Sequence, residues 1–154
     1  TGAIHEVGET GTKIYSNTND DGYYVANYRL EGDFEIDFTF VEGGNTYYPD
    51  IAFLNITRTI EKKWSMDHRT VGAVGEYTME YDTEVAGMAG EIRNGERWKI
   101  IREDSHVMFY VDGVMKYEVY DAPNTDVYFA WKTHSHAGRW FRFKDLKIYQ
   151  YREV

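Results

Sequence analysis

The stretch that most narrows what this chain can fold into is residues 98–120, WKIIREDSHVMFYVDGVMKYEVY. Two apolar runs flank Asp112-Gly113, a dipeptide suited to a two-residue turn whose central residues both take positive φ. A turn of that length sets the register, so Val111 faces Val114, Tyr110 faces Met115 and Phe109 faces Lys116. If residues 103–106 form the preceding loop, Ile100 meets Phe109 and Trp98 meets Val111. Cross-strand partners share a face. Trp98, Ile100, Val107, Phe109, Val111 and Val114 therefore form the apolar side of a three-stranded meander. The other side carries Lys99, Ile101, Met108, Tyr110, Met115 and Tyr117, more apolar than a solvated sheet surface usually is. That side is expected either to lie under another element or to be a contact surface.

Alternation of the same kind recurs along the chain. In residues 34–41, Phe34, Ile36, Phe38 and Phe40 point one way and Glu35, Asp37 and Thr39 the other. Residues 23–30 alternate, residues 50–56 and 77–85 read as strands, and Val127, Phe129 and Trp131 share a face. Short β-prone pieces lie at 3–7 and 12–15. In residues 140–151, Phe141 and Phe143 are in phase while Leu146 and Ile148 are one residue out. A bulge near Lys144-Asp145 would turn all four inward. The charged stretch 58–69, around Trp64, reads as a short helix or a long loop. With no helix of ordinary length, the expected fold is all-β, an antiparallel β-sandwich of two sheets face to face. A length of 154 residues fits one domain over 1–154. The start at Thr1, without Met, suggests a segment excised or processed from a longer protein.

The net charge of −9 argues against nucleic acid phosphates and anionic lipid as partners and favours neutral or cationic ones, uncharged sugars included. No apolar run reaches 18 residues, so no membrane-spanning helix is encoded. The absence of cysteine removes disulfides and a thiol nucleophile from consideration. Aromatic residues make up 17% of the chain, and rings with a polar tip suit both core and contact surface.

WKIIREDSHVMFYVDGVMKYEV, the later VYFAW and the closing RWFRFKDLKIYQ resemble the concanavalin A-like lectin/glucanase jelly roll. The resemblance is strongest to its laminin-G-like branch, through W-x-I-x-R, V-x-F-Y-V-D-G and F-x-D-L-x-I-Y. GDFEIDFTF is similar to an early strand of those domains, and the resemblance covers most of the chain from Gly32 on. It implies a concanavalin A-like jelly roll, a fold that serves lectins, enzymes, adhesins and viral spikes alike.

Laminarinase-type β-glucanases of that superfamily carry Glu-x-Asp-x-Glu on one strand. The pattern occurs here as Glu80, Asp82 and Glu84, for which the resemblance implies nucleophile, helper and acid/base. The near match Glu35-Ile36-Asp37-Phe38-Thr39 lacks the last acid. The chain is short for those enzymes, and a solvated acidic strand is the favoured reading of the first pattern. His134 and His136 would need a third ligand to hold zinc, and none lies at finger-like spacing. Asp20 and Asp21 offer oxygens suited to calcium but lack an EF-hand pattern, so no cofactor is implied beyond a calcium option. Sugar binding needs flat aromatic faces and polar side chains for hydroxyls. The candidates are Tyr47, Tyr48, Trp64, Tyr110, Tyr117 and Trp140, with His134, His136 and Arg139 as polar partners.

The resulting expectation is a non-enzymatic recognition module for a glycan or protein receptor, carried by an extracellular or virion (phage) surface protein. Two alternatives stand beside it. One is a structural or assembly domain of a fibre or capsid protein, forming a homo-oligomer through the Met/Tyr face. The other is a small laminarinase-like β-glucan hydrolase.

Overall fold

In the computed structural model, which describes residues 3–16, 22–44, 50–59, 67–71, 74–78, 88–91, 94–133 and 140–151, every paired strand is antiparallel. The larger sheet has seven strands. In spatial order they are β1 (Ala3–Gly8), β2 (Gly11–Ser16), β13 (Trp140–Gln150), β4 (Phe34–Gly44), β9 (Arg97–Glu103), β10 (His106–Val111) and β11 (Val114–Val119). Facing it is a three-stranded sheet of β3 (Gly22–Leu30), β12 (Val127–Thr133) and β5 (Asp50–Asn55). The chain crosses between these sheets repeatedly, and its last strand inserts between β2 and β4.

The period-two pattern explains the sandwich directly. Phe34, Ile36, Phe38 and Phe40 of β4, Trp98 and Ile100 of β9, and Phe109 and Val111 of β10 are all buried, as expected. They meet Ile51 and Phe53 of β5 and Val127, Phe129 and Trp131 of β12 in one cluster. Trp131 is fully buried at its centre. Its ring stacks on Phe143 across the sandwich, centroids 3.9 Å apart at 19°, and meets Phe38 edge-on at 5.5 Å. Tyr24 stacks on it from β3 at 6.1 Å.

The Asp112-Gly113 turn forms as expected, with φ of 50° and 79°. Val111 pairs with Val114 and Tyr110 with Met115, and Ile100 and Trp98 meet Phe109 and Val111. The register then departs from expectation. A bulge makes Phe109 pair with Tyr117 instead of Lys116. Tyr117 therefore turns inward, 6.3 Å from the Phe109 ring and against the main core, and Glu118 takes its place outside. The bulge buries ring area that the regular ladder would leave wet, while Lys116 loses only its place opposite Phe109. Val114, expected on the buried side, is 58% exposed beside the turn on the edge strand.

The expected bulge in β13 is present. Lys144 pairs with Thr39 and Lys147 with Asp37, and Asp145 takes φ of 55°. Phe141 and Phe143 are buried, and Leu146 and Ile148 pack against the same core. Arg102 also points inward, in phase with Trp98 and Ile100. Its guanidinium lies over the Phe34 ring and donates to the carbonyls of Gly32 and Thr125 at 2.8 and 2.7 Å. Burial pulls its pKa down from the ordinary arginine value, opposed by Asp33 and Asp126.

Elsewhere one reading is corrected and another is reached only in part. The sandwich is joined by a third sheet of β6 (Asp67–Val71), β7 (Val74–Thr78) and β8 (Met88–Glu91), so the start of β6 replaces the end of the helix or loop read at 58–69. β7 ends at Thr78, so only the beginning of the strand read at 77–85 is observed as strand, and residues 79–87 lie outside the described residues.

The Trp131 indole nitrogen is buried and has no hydrogen-bond partner among the described residues, which separates two substitutions. Trp131→Ala should cost about 3–5 kcal/mol in urea unfolding, through the cavity it leaves. Trp131→Phe should cost clearly less, because ring area is lost but no hydrogen bond. Equal losses would mean that the indole N–H is paired after all.

Candidate functional site

Paired residues on neighbouring strands share a face, so the register lays three rows across the outside of the seven-stranded sheet. In the middle row, Lys147 of β13 faces Asp37 of β4, Asp37 faces Lys99 of β9, Lys99 faces Tyr110 of β10, and Tyr110 faces Met115 of β11. A strand spacing of about 4.8 Å makes the part from Lys147 to Tyr110 about 14 Å long. On one side runs Tyr149–Glu35–Ile101–Met108–Glu118; on the other, Lys144–Thr39–Arg97.

Residues of these rows line a groove of about 920 Å³. The Asp112-Gly113 turn lies on its β10 side and the bulge at Asp145 on its β13 side. The turn is tied to β9 in both directions. Asp112 N–H donates to the Arg97 carbonyl at 2.8 Å, and Arg97 N–H donates to Asp112 Oδ1 at 2.9 Å. Lys99 Nζ lies 3.6 Å from Glu35 Oε1. Asp37 stands between two lysines in the row, yet neither closes an ion pair with it. Its Oδ1 is buried without a hydrogen-bond partner among the described residues. The Tyr110 hydroxyl donates to the Met108 sulfur at 3.6 Å, so Met108 lies beneath it and is only 9% exposed.

The same outer face continues toward β2. Trp140 faces Tyr15, and Arg142 faces both Lys13 and Glu42. Lys13 lies over the Trp140 and Tyr15 rings at 5.0 and 5.3 Å, and Arg142 lies 5.2 Å from Trp140 while pairing with Glu42. At the opposite rim, His106 Nε2 lies 2.9 Å from Glu118 Oε2, and the His106 ring stacks on Tyr120 at 4.4 Å. Hydrogen bonds to Glu118 from His106 first, and then Tyr120, hold its carboxyl below the ordinary glutamate range. The same contact pushes the Tyr120 hydroxyl up.

Of the residues singled out from sequence, Tyr110 lies in the groove and Trp140 on the same face. Tyr117 does not, because the bulge in β11 turns it into the core. Tyr47, Tyr48, Trp64, His134, His136 and Arg139 lie outside the described residues, as do Asp20, Asp21, Glu80, Asp82 and Glu84. The near match on β4 does face outward, with Asp37 and Thr39 in the groove and Thr39 where a third acid would stand. Among the described residues no group of three or more His, Asp or Glu is placed to hold a metal ion. Asp37, Lys99, Lys144 and Lys147 were not singled out. The signal available for them was their phase opposite the buried apolar residues of β4, β9 and β13.

No protein-family model matches the sequence, and no curated protein matches it either. Solved structures do match. A sialidase superposes with a TM-score of 0.71 at 11% identity over 97% of this chain, which spans 16% of that protein. A carbohydrate-binding module, CBM66, from Bacillus subtilis gives 0.59 at 10% identity, covering 96% of this chain and 92% of that one. A legume lectin-like domain from Entamoeba histolytica gives 0.58 at 10% identity, covering 97% and 88%. The fold is a concanavalin A-like jelly roll. At these identities the likeness is one of architecture, and the groove of this jelly roll is built from its own side chains.

Glu118 gives the jelly roll a testable acid response. Its folded pKa is lowered, so its contribution to stability is present above the ordinary glutamate value of about 4.3 and is lost as pH falls below it. Thermal melts of Glu118→Gln should lack that part of the wild-type acid slope. Identical slopes would show that the contact with His106 and Tyr120 does not stabilise the fold.

Proposed function

We propose that this protein is a glycan-recognition module and that its ligand lies in the groove on the outer face of the seven-stranded sheet. The observation that carries the reading is the row Lys147–Asp37–Lys99–Tyr110. Sugar hydroxyls both donate and accept, and this row offers both partners within a few ångströms. Asp37 accepts, the two lysines donate, and Tyr110 supplies a ring edge and a hydroxyl. The jelly-roll fold, shared with a carbohydrate-binding module and a lectin-like domain, supports the same reading. β4 offers Glu35 and Asp37 but Thr39 in the third position, so this groove does not carry the three-acid row of β-glucanases on that strand. The setting that suits such a module is an extracellular or virion surface.

A glycan array followed by affinity electrophoresis tests the proposal. Lys99→Ala together with Tyr110→Ala should weaken retention by the best glycan about 10–100-fold, from the loss of one charge-assisted hydrogen bond and one ring contact. The melting temperature should stay near that of wild type, because both side chains are partly exposed. A folded double variant with unchanged retention would move binding away from this groove and overturn the proposal.

A further inference from the structure

The outward side of β13 carries Trp140, Arg142, Lys144, Lys147 and Tyr149, three cations bracketed by two aromatic rings. Phe141, Phe143 and Ile148 occupy the inward positions, and the bulge at Asp145 brings both Lys144 and Lys147 to the open side. The strand has three cations and one acid, in a chain where 26 acids outnumber 17 cations. Within the groove itself four cations face three carboxylates. One of those carboxylates, Asp112, already accepts the Arg97 N–H.

The cations of this face are not equally engaged. Arg142 pairs with Glu42, and Lys99 with Glu35. Lys144 and Lys147 are exposed and have no ion-pair partner among the described residues. They sit at successive outward positions, about 7 Å apart along the strand. The charge of −9 acts at long range and is screened beyond about 8 Å at physiological salt, so a ligand within the groove meets the local lysines first.

We infer that the groove takes a linear glycan bearing negative charges, carboxylate or sulfate, which lies along β13 with its anionic groups on Lys144 and Lys147. The inference rests on the proposed glycan-binding role and adds the chemical class of the glycan. Asp37 then accepts from a sugar hydroxyl, and Tyr149, 44% exposed, stands at one end of the track. This reverses what net charge alone indicates, since the total favours neutral or cationic partners.

Affinity electrophoresis in gels containing polygalacturonate, dextran sulfate or neutral dextran, beside an array of neutral and acidic glycans, tests the inference. Retention by an acidic polymer and not by dextran is expected, weakening with added salt. Stronger retention by polygalacturonate assigns carboxylate and stronger retention by dextran sulfate assigns sulfate; either supports the inference. Lys144→Ser with Lys147→Ser should lose at least tenfold of that retention at unchanged melting temperature, and Lys144→Arg with Lys147→Arg should restore it. Array binding confined to neutral glycans, or a lysine-to-serine variant that holds the acidic polymer as well as wild type, overturns the inference and leaves the glycan-binding proposal standing. Binding to no glycan of either kind overturns both.

Discussion

The stack of Trp131 on Phe143 is the contact on which the rest of the molecule depends. It joins the middle strand of the three-stranded sheet to the strand that completes the seven-stranded one. Phe38, Phe129 and Phe141 close around the same indole. Because side chains alternate along a strand, fixing Phe141 and Phe143 inward also fixes Trp140, Arg142 and Lys144 outward. The outer face is thus a geometric consequence of how the core is filled. Its floor is rigid because the other side of the same strands is close-packed.

Polar side chains enter the sandwich sparingly and where they hold loops. Arg102 reaches two backbone carbonyls, one in the turn between β3 and β4 and one in the segment before β12. Glu96, buried, accepts from the Trp98 indole at 3.1 Å, close to where β9 meets the groove. Charges that face the groove are arranged differently: in its middle row Lys147, Asp37 and Lys99 alternate in sign across three strands.

The sequence made some of this legible and hid the rest for identifiable reasons. Asp112-Gly113 announced a turn whose φ values only a few residue types tolerate, and the four alternate apolar residues from Phe34 to Phe40 announced a half-buried strand. The β13 bulge could be read because Leu146 and Ile148 are out of phase with Phe141 and Phe143. The β11 bulge could not, since Lys116 outside and Tyr117 outside were equally acceptable from alternation alone; the Phe109 ring decided between them. The row Lys147–Asp37–Lys99 was invisible for a different reason. Its three residues come from strands far apart in sequence, and no local pattern specifies which strands become neighbours. The third sheet lay in a charged stretch with weak alternation at Asp67–Val71, where tertiary pairing overrides local preference.

The insertion of β13 between β2 and β4 also orders events in time. Until that strand is made, β2 and β4 each present an unpaired edge, and Trp131 lacks the ring it stacks on. Long-range pairing of this sort folds slowly, since loop closure precedes any gain from contact. Exposed edges are meanwhile open to pairing with other chains. The strand that seals them also bears Lys144 and Lys147, two of the four cations of the groove. A chain halted before Trp140 would leave those edges unsealed and lack one side of the groove, so closing the sheet and completing the groove are a single step.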